Sequence, residues 1–267
     1  MNSRALPTAC AVVLSCALLV ACSDDSPTDP GDGLQDLDWS ADMQAGQTLE
    51  IRGVNGSILA TASPDGTARV SADKNGNSSP ETSVTFEVIS HDGGVTICAM
   101  YPDVSGEPDN ECVPGGGQMT VRDNDVVVTF AVQVPEGVRL SEWTVNGNVR
   151  ATAVQSEVIS STVNGDAQIS TTDLAEAATV NGNVEVTIGD ESPDRALAFT
   201  TVNGNVTLRV PAGIDASVNA ATVNGTMNSD FLLANLAPGQ WTGTLGDGGS
   251  NLALSTVNGN LELRSVP

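Results

Sequence analysis

The tripeptide Val-Asn-Gly occurs seven times in this chain, beginning at Val54, Val145, Val163, Val180, Val202, Val223 and Val257. From Val145 onward, successive starts lie 18, 17, 22, 21 and 34 residues apart. A motif repeated at such intervals marks a stacked architecture, because one short supersecondary unit can cover its apolar side only against a neighbouring copy. Between the motifs, apolar and polar residues alternate, as in Val126, Val128, Phe130, Val132 and Val134, in Val184, Val186 and Ile188, and in Val206, Leu208 and Val210. A period of two buries one face of a strand and wets the other. Val and Thr dominate these runs, with Asn, Asp, Gly and Pro between them, so the expected fold class is all-β.

Asn-Gly between alternating residues is the usual signal of a two-residue hairpin. Here a hairpin at Asn146-Gly147 sets Val145 opposite Asn148 and Thr144 opposite Val149, an apolar residue against a polar one in both pairs. If the pair instead bends a continuing strand path, Val145 and Val149 both point inward, and Thr144, Asn146 and Asn148 point out. The favoured expectation is therefore a β-solenoid, a right-handed parallel β-helix, with an antiparallel sandwich as the competing reading. Traced from Val202, one coil has three short sides, with a turn at Ala212-Gly213 and a change of phase at Asn219-Ala220. The structural turns are Asn55-Gly56, Asn146-Gly147, Asn164-Gly165, Asn181-Gly182, Asn203-Gly204, Asn224-Gly225 and Asn258-Gly259. Stacking places the asparagines from Asn146 to Asn258 above one another in chain order, with their amides bonded along the ladder and the glycines supplying positive φ. Gly46 to Ser63 and a disulfide region cover the first end, and the tail with Arg264 and Pro267 closes the last.

The N-terminus reads as an export signal: Arg4, then the apolar run Ala11 to Val20, then small residues. Leu19-Val20-Ala21-Cys22 resembles the lipobox of bacterial lipoproteins. That resemblance implies cleavage between Ala21 and Cys22, acylation (palmitate) of Cys22 and a membrane anchor, and Ser23 suits outer-membrane sorting. An ordinary secretory signal is the alternative. Residues 1–21 are thus expected to be signal, 22–43, with seven aspartates and two prolines, an acidic disordered tether, and 44–267 the folded domain. After processing, two cysteines remain, Cys98 and Cys112. In an oxidising envelope they are expected to form a disulfide around a Pro-, Gly- and acid-rich loop, with a pair of buried free thiols as the other reading.

The segments GQTLEIRGVNGSI, VTFEVISHDGGVTICAMYPD and VVVTFAVQVPEGV, followed by the T-V-N-G-N-V repeats, resemble the bacterial putative-adhesin family, whose shared domain is of unknown function. The likeness spans nearly everything after Gly46. It implies a β-solenoid on the cell envelope, periplasmic or surface-facing.

A formal charge of −23 disfavours nucleic acid and anionic lipid as partners. Acidic residues could bind calcium, but the glycine-rich nonapeptides that do so in β-helices are missing. His91, the one histidine, lies in a Ser-His-Asp-Gly-Gly turn, and without a second histidine or a cysteine cluster no usual zinc set can be built. No nucleophile elbow or P-loop occurs. No catalytic residue, metal or cofactor is expected. Glu157, Asp166, Glu176, Glu185 and Glu262 could project as carboxylate pairs for glycoside cleavage, though solvated surface acids are the simpler reading. Trp143 and Phe199 are expected to pack in the core or at coil ends. The resulting expectation is a lipid-anchored, non-enzymatic adhesion or scaffold surface whose partner is an envelope or host glycan or protein. A polysaccharide-processing enzyme and a periplasmic partner in envelope-stress sensing are the alternatives.

Overall fold

The computed structural model describes residues 37–190 and 192–266. Cys22, the signal and most of the tether lie outside the described residues. Among the described residues, twenty-one strands and one 3-10 turn make an all-β unit of two mixed sheets. The first seven are β1 (Leu37–Ala41), β2 (Thr48–Arg52), β3 (Ile58–Ala62), β4 (Ala68–Asn75), β5 (Thr85–His91), β6 (Gly94–Met100) and β7 (Val127–Val134). The middle of the chain gives β8 (Arg139–Trp143), β9 (Val149–Val154), β10 (Val158–Ser161), β11 (Ala167–Thr171), β12 (Ala175–Ala178), β13 (Val184–Thr187), β14 (Leu197–Thr200) and β15 (Val206–Pro211). The last six are β16 (Ala216–Asn224), β17 (Met227–Ser229), β18 (Ala234–Ala237), β19 (Gln240–Leu245), β20 (Asn251–Asn258) and β21 (Leu261–Val266).

The first sheet has the order β1-β4-β7-β3-β9-β11-β13-β15-β21-β17 and the second β18-β19-β16-β20-β14-β12-β10-β8-β2-β6-β5. From β8 to β21 the chain alternates between them except where β18, β19 and β20 follow one another in the second sheet. Strands on either side of a repeated Asn-Gly pair therefore belong to different sheets, and each pairs in parallel with the equivalent strand of a neighbouring repeat. The Asn-Gly pairs turn the chain between layers and do not reverse it within one.

Several expectations need correction. The pairing is not parallel throughout: antiparallel strands close one end of both sheets, β1 and β4 on the first and β5 on the second, and the other end of the second sheet alone, β18 and β19, while the first sheet ends there on the parallel strand β17. A parallel rung has no partner for its outer edge at the end of a stack, and an antiparallel return strand supplies one from nearby chain. Order begins by Leu37, inside the stretch expected to be tether. Leu37 and Trp39 on β1 are buried against the core while Asp38 faces solvent, so alternation and not local charge decides that segment. The repeat has two sides, not three, because β16 runs unbroken through Asn219-Ala220 with Ala216, Val218, Ala220 and Thr222 all inward.

The repeats are also out of sequence order. β20 inserts between β14 and β16, and β21 between β15 and β17. The C-terminal repeat is therefore an interior rung, and Arg264 closes no end. Gly46 to Ser63 likewise forms an interior rung, since β6 and β7 pair outside β2 and β3. Inward residues of both sheets merge into one apolar core in which Phe130, Phe199, Leu140, Leu197, Leu208 and Leu252 are fully buried. Each such side chain contributes about 1.5–3 kcal/mol of burial free energy.

Candidate binding surface

The repeated motif forms one edge of the molecule. Seven asparagines stack in the spatial order Asn55, Asn146, Asn164, Asn181, Asn203, Asn258, Asn224. Each Nδ2 donates to the Oδ1 of the preceding member at 2.8–2.9 Å, from Asn146 onto Asn55 through to Asn224 onto Asn258. A second ladder uses the residue after each glycine. Asn148, Asp166, Asn183, Asn205 and Asn260 accept through Oδ1 from the backbone N–H of the next rung, at 2.7–3.0 Å.

A third ladder reverses the expected phase. Thr144 is fully buried, and its Oγ1 donates to the Gly56 carbonyl at 3.0 Å. Thr162, Thr179, Thr201, Thr256 and Thr222 repeat this bond to Gly147, Gly165, Gly182, Gly204 and Gly259 at 2.8–3.0 Å. The valine of the motif is turned outward instead in the later repeats, exposed at Val180, Val202 and Val257 and up to 73% at Val223, whereas Val54 is buried and Val145 packs against the core. Threonine occupies the inward position because only a side chain with a donor satisfies that carbonyl where two corners meet.

The glycines are needed for close approach more than for positive φ. Gly147, Gly165, Gly182, Gly225 and Gly259 are not among the residues with positive φ. A Cβ on any of them would overlap the carbonyl oxygen of the neighbouring corner glycine.

The outer face of the first sheet carries polar rows set by the same register. Leu59, Arg150, Gln168, Glu185, Thr207 and Glu262 stand side by side across six strands. Thr187, Arg209 and Arg264 form part of the next row. An open depression of about 220 Å³ lies here, bounded by Arg150, Thr152, Gln168, Ser170, Glu185 and Arg209. It borders a bulge in β9, where the register to β11 shifts and Ala153 takes φ 51°. Arg209 donates to Glu185 at 2.6 Å. Arg150 is exposed and makes no hydrogen bond or ion pair among the described residues. The depression thus offers an uncommitted guanidinium beside an amide, hydroxyls and a paired Arg-Glu couple, a set able to bind hydroxyl groups and a carboxylate.

The acids considered for catalysis are engaged in ion pairs and hydrogen bonds. Glu157 accepts from Arg139 Nε at 2.7 Å and is also bound by Arg195, which spans to Glu176. Partial burial pushes the Glu157 carboxyl up, but the Arg139 and Arg195 guanidiniums outweigh it and hold it below the usual range. Glu262 pairs with Arg264 at 3.2 Å, and Asp166 belongs to the second ladder. A general acid requires a raised pKa, opposite to the direction at Glu157.

One carboxyl is raised. Glu142, on the inner face of β8, is driven to about 7 by full burial, offset only in part by Ser160 Oγ donating to Oε2 at 2.6 Å. Its Oε1 has no partner. Leu140, Glu142 and Thr144 are in phase, so the alternation itself signals this burial.

Cys98 and Cys112 are joined, with a Cα–Cα distance of 5.9 Å. The segment that follows Cys112 lies over the outer face of β2 and β6. There the buried Glu50 accepts from Arg52 Nη1, Thr96 Oγ1 and the Gly115 N–H at 2.8–2.9 Å. His91 ends β5, with Nδ1 accepting from the Gly93 N–H at 3.2 Å and Nε2 3.4 Å from Thr96 Oγ1. Tyr101 is buried, its hydroxyl donating to the Val126 carbonyl at 2.8 Å, and burial raises its pKa to about 12. Phe199 lies in the core, whereas Trp143 stands on the outer face with the Arg52 guanidinium 5.0 Å from its ring centroid. The cleft between this segment and Trp143 holds only about 60 Å³, too little for a sugar ring.

Two solved structures are similar to this fold. One is a putative cell adhesion protein from Clostridium sporogenes ATCC 15579, at 8% identity over 87% of this chain and 100% of that chain, with a TM-score of 0.46. The other is a putative adhesin from Bacteroides fragilis NCTC 9343, at 10% identity over 86% of this chain and 98% of that chain, with a TM-score of 0.33. No family model matches the chain, and no curated protein does. Among the described residues no helix is long and apolar enough to cross a membrane, and no cluster of three or more metal-ligating side chains occurs.

Proposed function

We propose that this chain is a non-enzymatic, lipid-anchored envelope protein whose β-solenoid presents the outer face of the first sheet as an adhesion or scaffold surface. In this reading Cys22 carries the lipid in the outer membrane, and the residues between it and Leu37 set the domain off the bilayer. The observation that carries the reading is Arg150. In a chain of net charge −23 an arginine without an acidic partner stands in a depression lined with hydrogen-bonding groups. An unpaired cation amid so many acids is best used on an external anion. The ligand class it suits is a glycan carrying a carboxylate, such as a uronic-acid-containing polysaccharide from the envelope or a host.

The test is a screen of the purified protein against uronic-acid-containing and neutral oligosaccharides, measuring both retention and release of reducing ends. Retention of the acidic set by the native protein, lost in Arg150→Ala with folding intact, supports the reading. Release of reducing ends contradicts it in favour of an enzyme, and equal retention by Arg150→Ala removes the site.

A further inference from the structure

The corner ladder protects most of its Asn-Gly pairs chemically but not the last. Asn-Gly is the dipeptide most prone to cyclise, because glycine leaves its backbone nitrogen unhindered to reach the asparagine side chain. In the folded chain that nitrogen is tied down. Gly56, Gly147, Gly165, Gly182, Gly204 and Gly259 each donate their N–H to the carbonyl of the next asparagine in the stack, at 2.8–3.0 Å. The bonds all run in one direction, so the terminal member has no asparagine to meet. That member is Gly225. Its N–H has no acceptor among the described residues, and Asn224, Gly225 and Thr226 are all exposed, whereas the other six corner glycines are buried or half-buried. Asn75-Gly76, after β4, is the one other Asn-Gly pair in the sequence, and the Gly76 N–H also has no acceptor among the described residues.

We propose that Asn224-Gly225 is a site of spontaneous covalent modification, set apart from the six other repeats by its position at the open end of the ladder. The Gly225 nitrogen gives up its proton to hydroxide and forms a bond to Asn224 Cγ. The Cγ–Nδ2 bond breaks, and ammonia departs after taking a proton from water. Water then opens the five-membered imide. Breaking the nitrogen's bond to Cγ gives aspartate, and breaking its bond to the former backbone carbonyl gives isoaspartate. Either product adds a negative charge. It also removes the Nδ2–H that Asn224 donates to Asn258 Oδ1 at 2.8 Å and sets a carboxylate against that oxygen. Isoaspartate further adds a carbon to the backbone and shifts β17 out of register with β21. The modification therefore loosens the terminal rung and, through the Asn224 carbonyl that holds the Gly259 N–H, the corner next to it, and leaves the five corners from Gly56 to Gly204 intact.

The experiment is a time course of the purified protein in mildly alkaline buffer, with peptide mapping by mass spectrometry resolving aspartate and isoaspartate at every Asn-Gly pair. Asn224 and Asn75 are expected to convert roughly five- to tenfold faster than the six locked asparagines, the ratio corresponding to one net backbone hydrogen bond. In denaturant the six locked pairs are expected to accelerate to the rate of Asn224. The acidic charge variant that accumulates is expected to diminish in Asn224→Gln, leaving the Asn75 product. A native rate at Asn224 no greater than at Asn146, Asn164 or Asn181 overturns the proposal. So does a native spread of rates that persists unchanged in denaturant, since sequence and not the ladder would then set it.

Discussion

At the residue scale, each position of the Thr-Val-Asn-Gly-Asn motif has a distinct physical task. The threonine hydroxyl satisfies a buried glycine carbonyl, the first asparagine extends the amide ladder, the glycine permits backbone contact, and the second asparagine holds the next N–H. The valine carbonyl accepts the next asparagine's N–H, but its side chain has no hydrogen-bonding task and, in the later repeats, faces outward. Thr201→Val is therefore expected to cost roughly 1–2 kcal/mol by leaving the Gly182 carbonyl without its hydroxyl donor. Val202→Thr next to it should stay within about 0.5 kcal/mol of the native protein. Chemical denaturation of both variants checks this, and the reverse ranking would restore the opposite phase. Glu142 carries a pH dependence of known sign. Its folded pKa, about 7, lies above the ordinary glutamate value of 4.5, so the folded state holds the proton more tightly. Its stability contribution is full below about pH 4.5 and is lost as pH rises through about 7. Glu142→Gln should therefore gain melting temperature relative to the native protein at about pH 8 and little at about pH 5. A difference between the two proteins independent of pH would contradict this.

At the scale of elements, alternation made the strands legible. Val126 to Val134, Val184 to Ile188 and Val206 to Val210 alternate inward and outward as their sequence pattern implies, because period two is a property of the strand backbone itself. The mismatched pairing that a hairpin would force on Val145 and Asn148 also pointed away from reversal. The side of the sheet taken by Thr144 was not legible, since a threonine between a tryptophan and a valine reads as surface until its carbonyl partner, distant in sequence, is known. Arg150 was illegible for a similar reason: its lack of a partner depends on Gln168 and Leu59 being its neighbours across the sheet. Glycine at the corners follows from stacking distance. Gly182→Ala places a Cβ against the Gly165 carbonyl and is expected to cost about 1–3 kcal/mol or more. Gly116, with open space around its Cβ position and no positive φ, should accept alanine almost without effect. Thermal melts of the two variants make the comparison, and equal stabilities would remove close approach as the reason for the corner glycines.

At the scale of the whole molecule, the decisive feature is that spatial order departs from sequence order. In a stack built in sequence, removing the last repeat strips one outer rung and leaves the rest standing. Here β20 and β21 are the link through which β16, β17 and the closing strands β18 and β19 attach to β14 and β15. Truncation after Gly249 is therefore expected to unmoor everything from β16 onward and to lower the melting temperature sharply or abolish cooperative unfolding. A truncated protein that melts cooperatively near the native temperature would contradict this. Nothing in the motif distinguished the sequential arrangement from the inserted one, because every repeat offers the same corner and the choice between equivalent neighbours is made by tertiary packing. The antiparallel closures were hidden similarly: the acids around Trp39 dominate the local composition, while the burial of Leu37 and Trp39 is decided by their partners on β4.

The order of the asparagine stack can be read directly by disulfide trapping. Adjacent parallel strands lie about 4.8 Å apart, within the Cα range a disulfide spans, whereas strands two rungs apart exceed the limit of about 7 Å. Asn258 sits between Asn203 and Asn224. The Asn203→Cys/Asn258→Cys and Asn224→Cys/Asn258→Cys variants should each form the new disulfide on mild oxidation of the folded protein, while Asn203→Cys/Asn224→Cys should not. Efficient closure of the last pair, with none between positions 203 and 258, would contradict the inserted order on which this account of the fold rests.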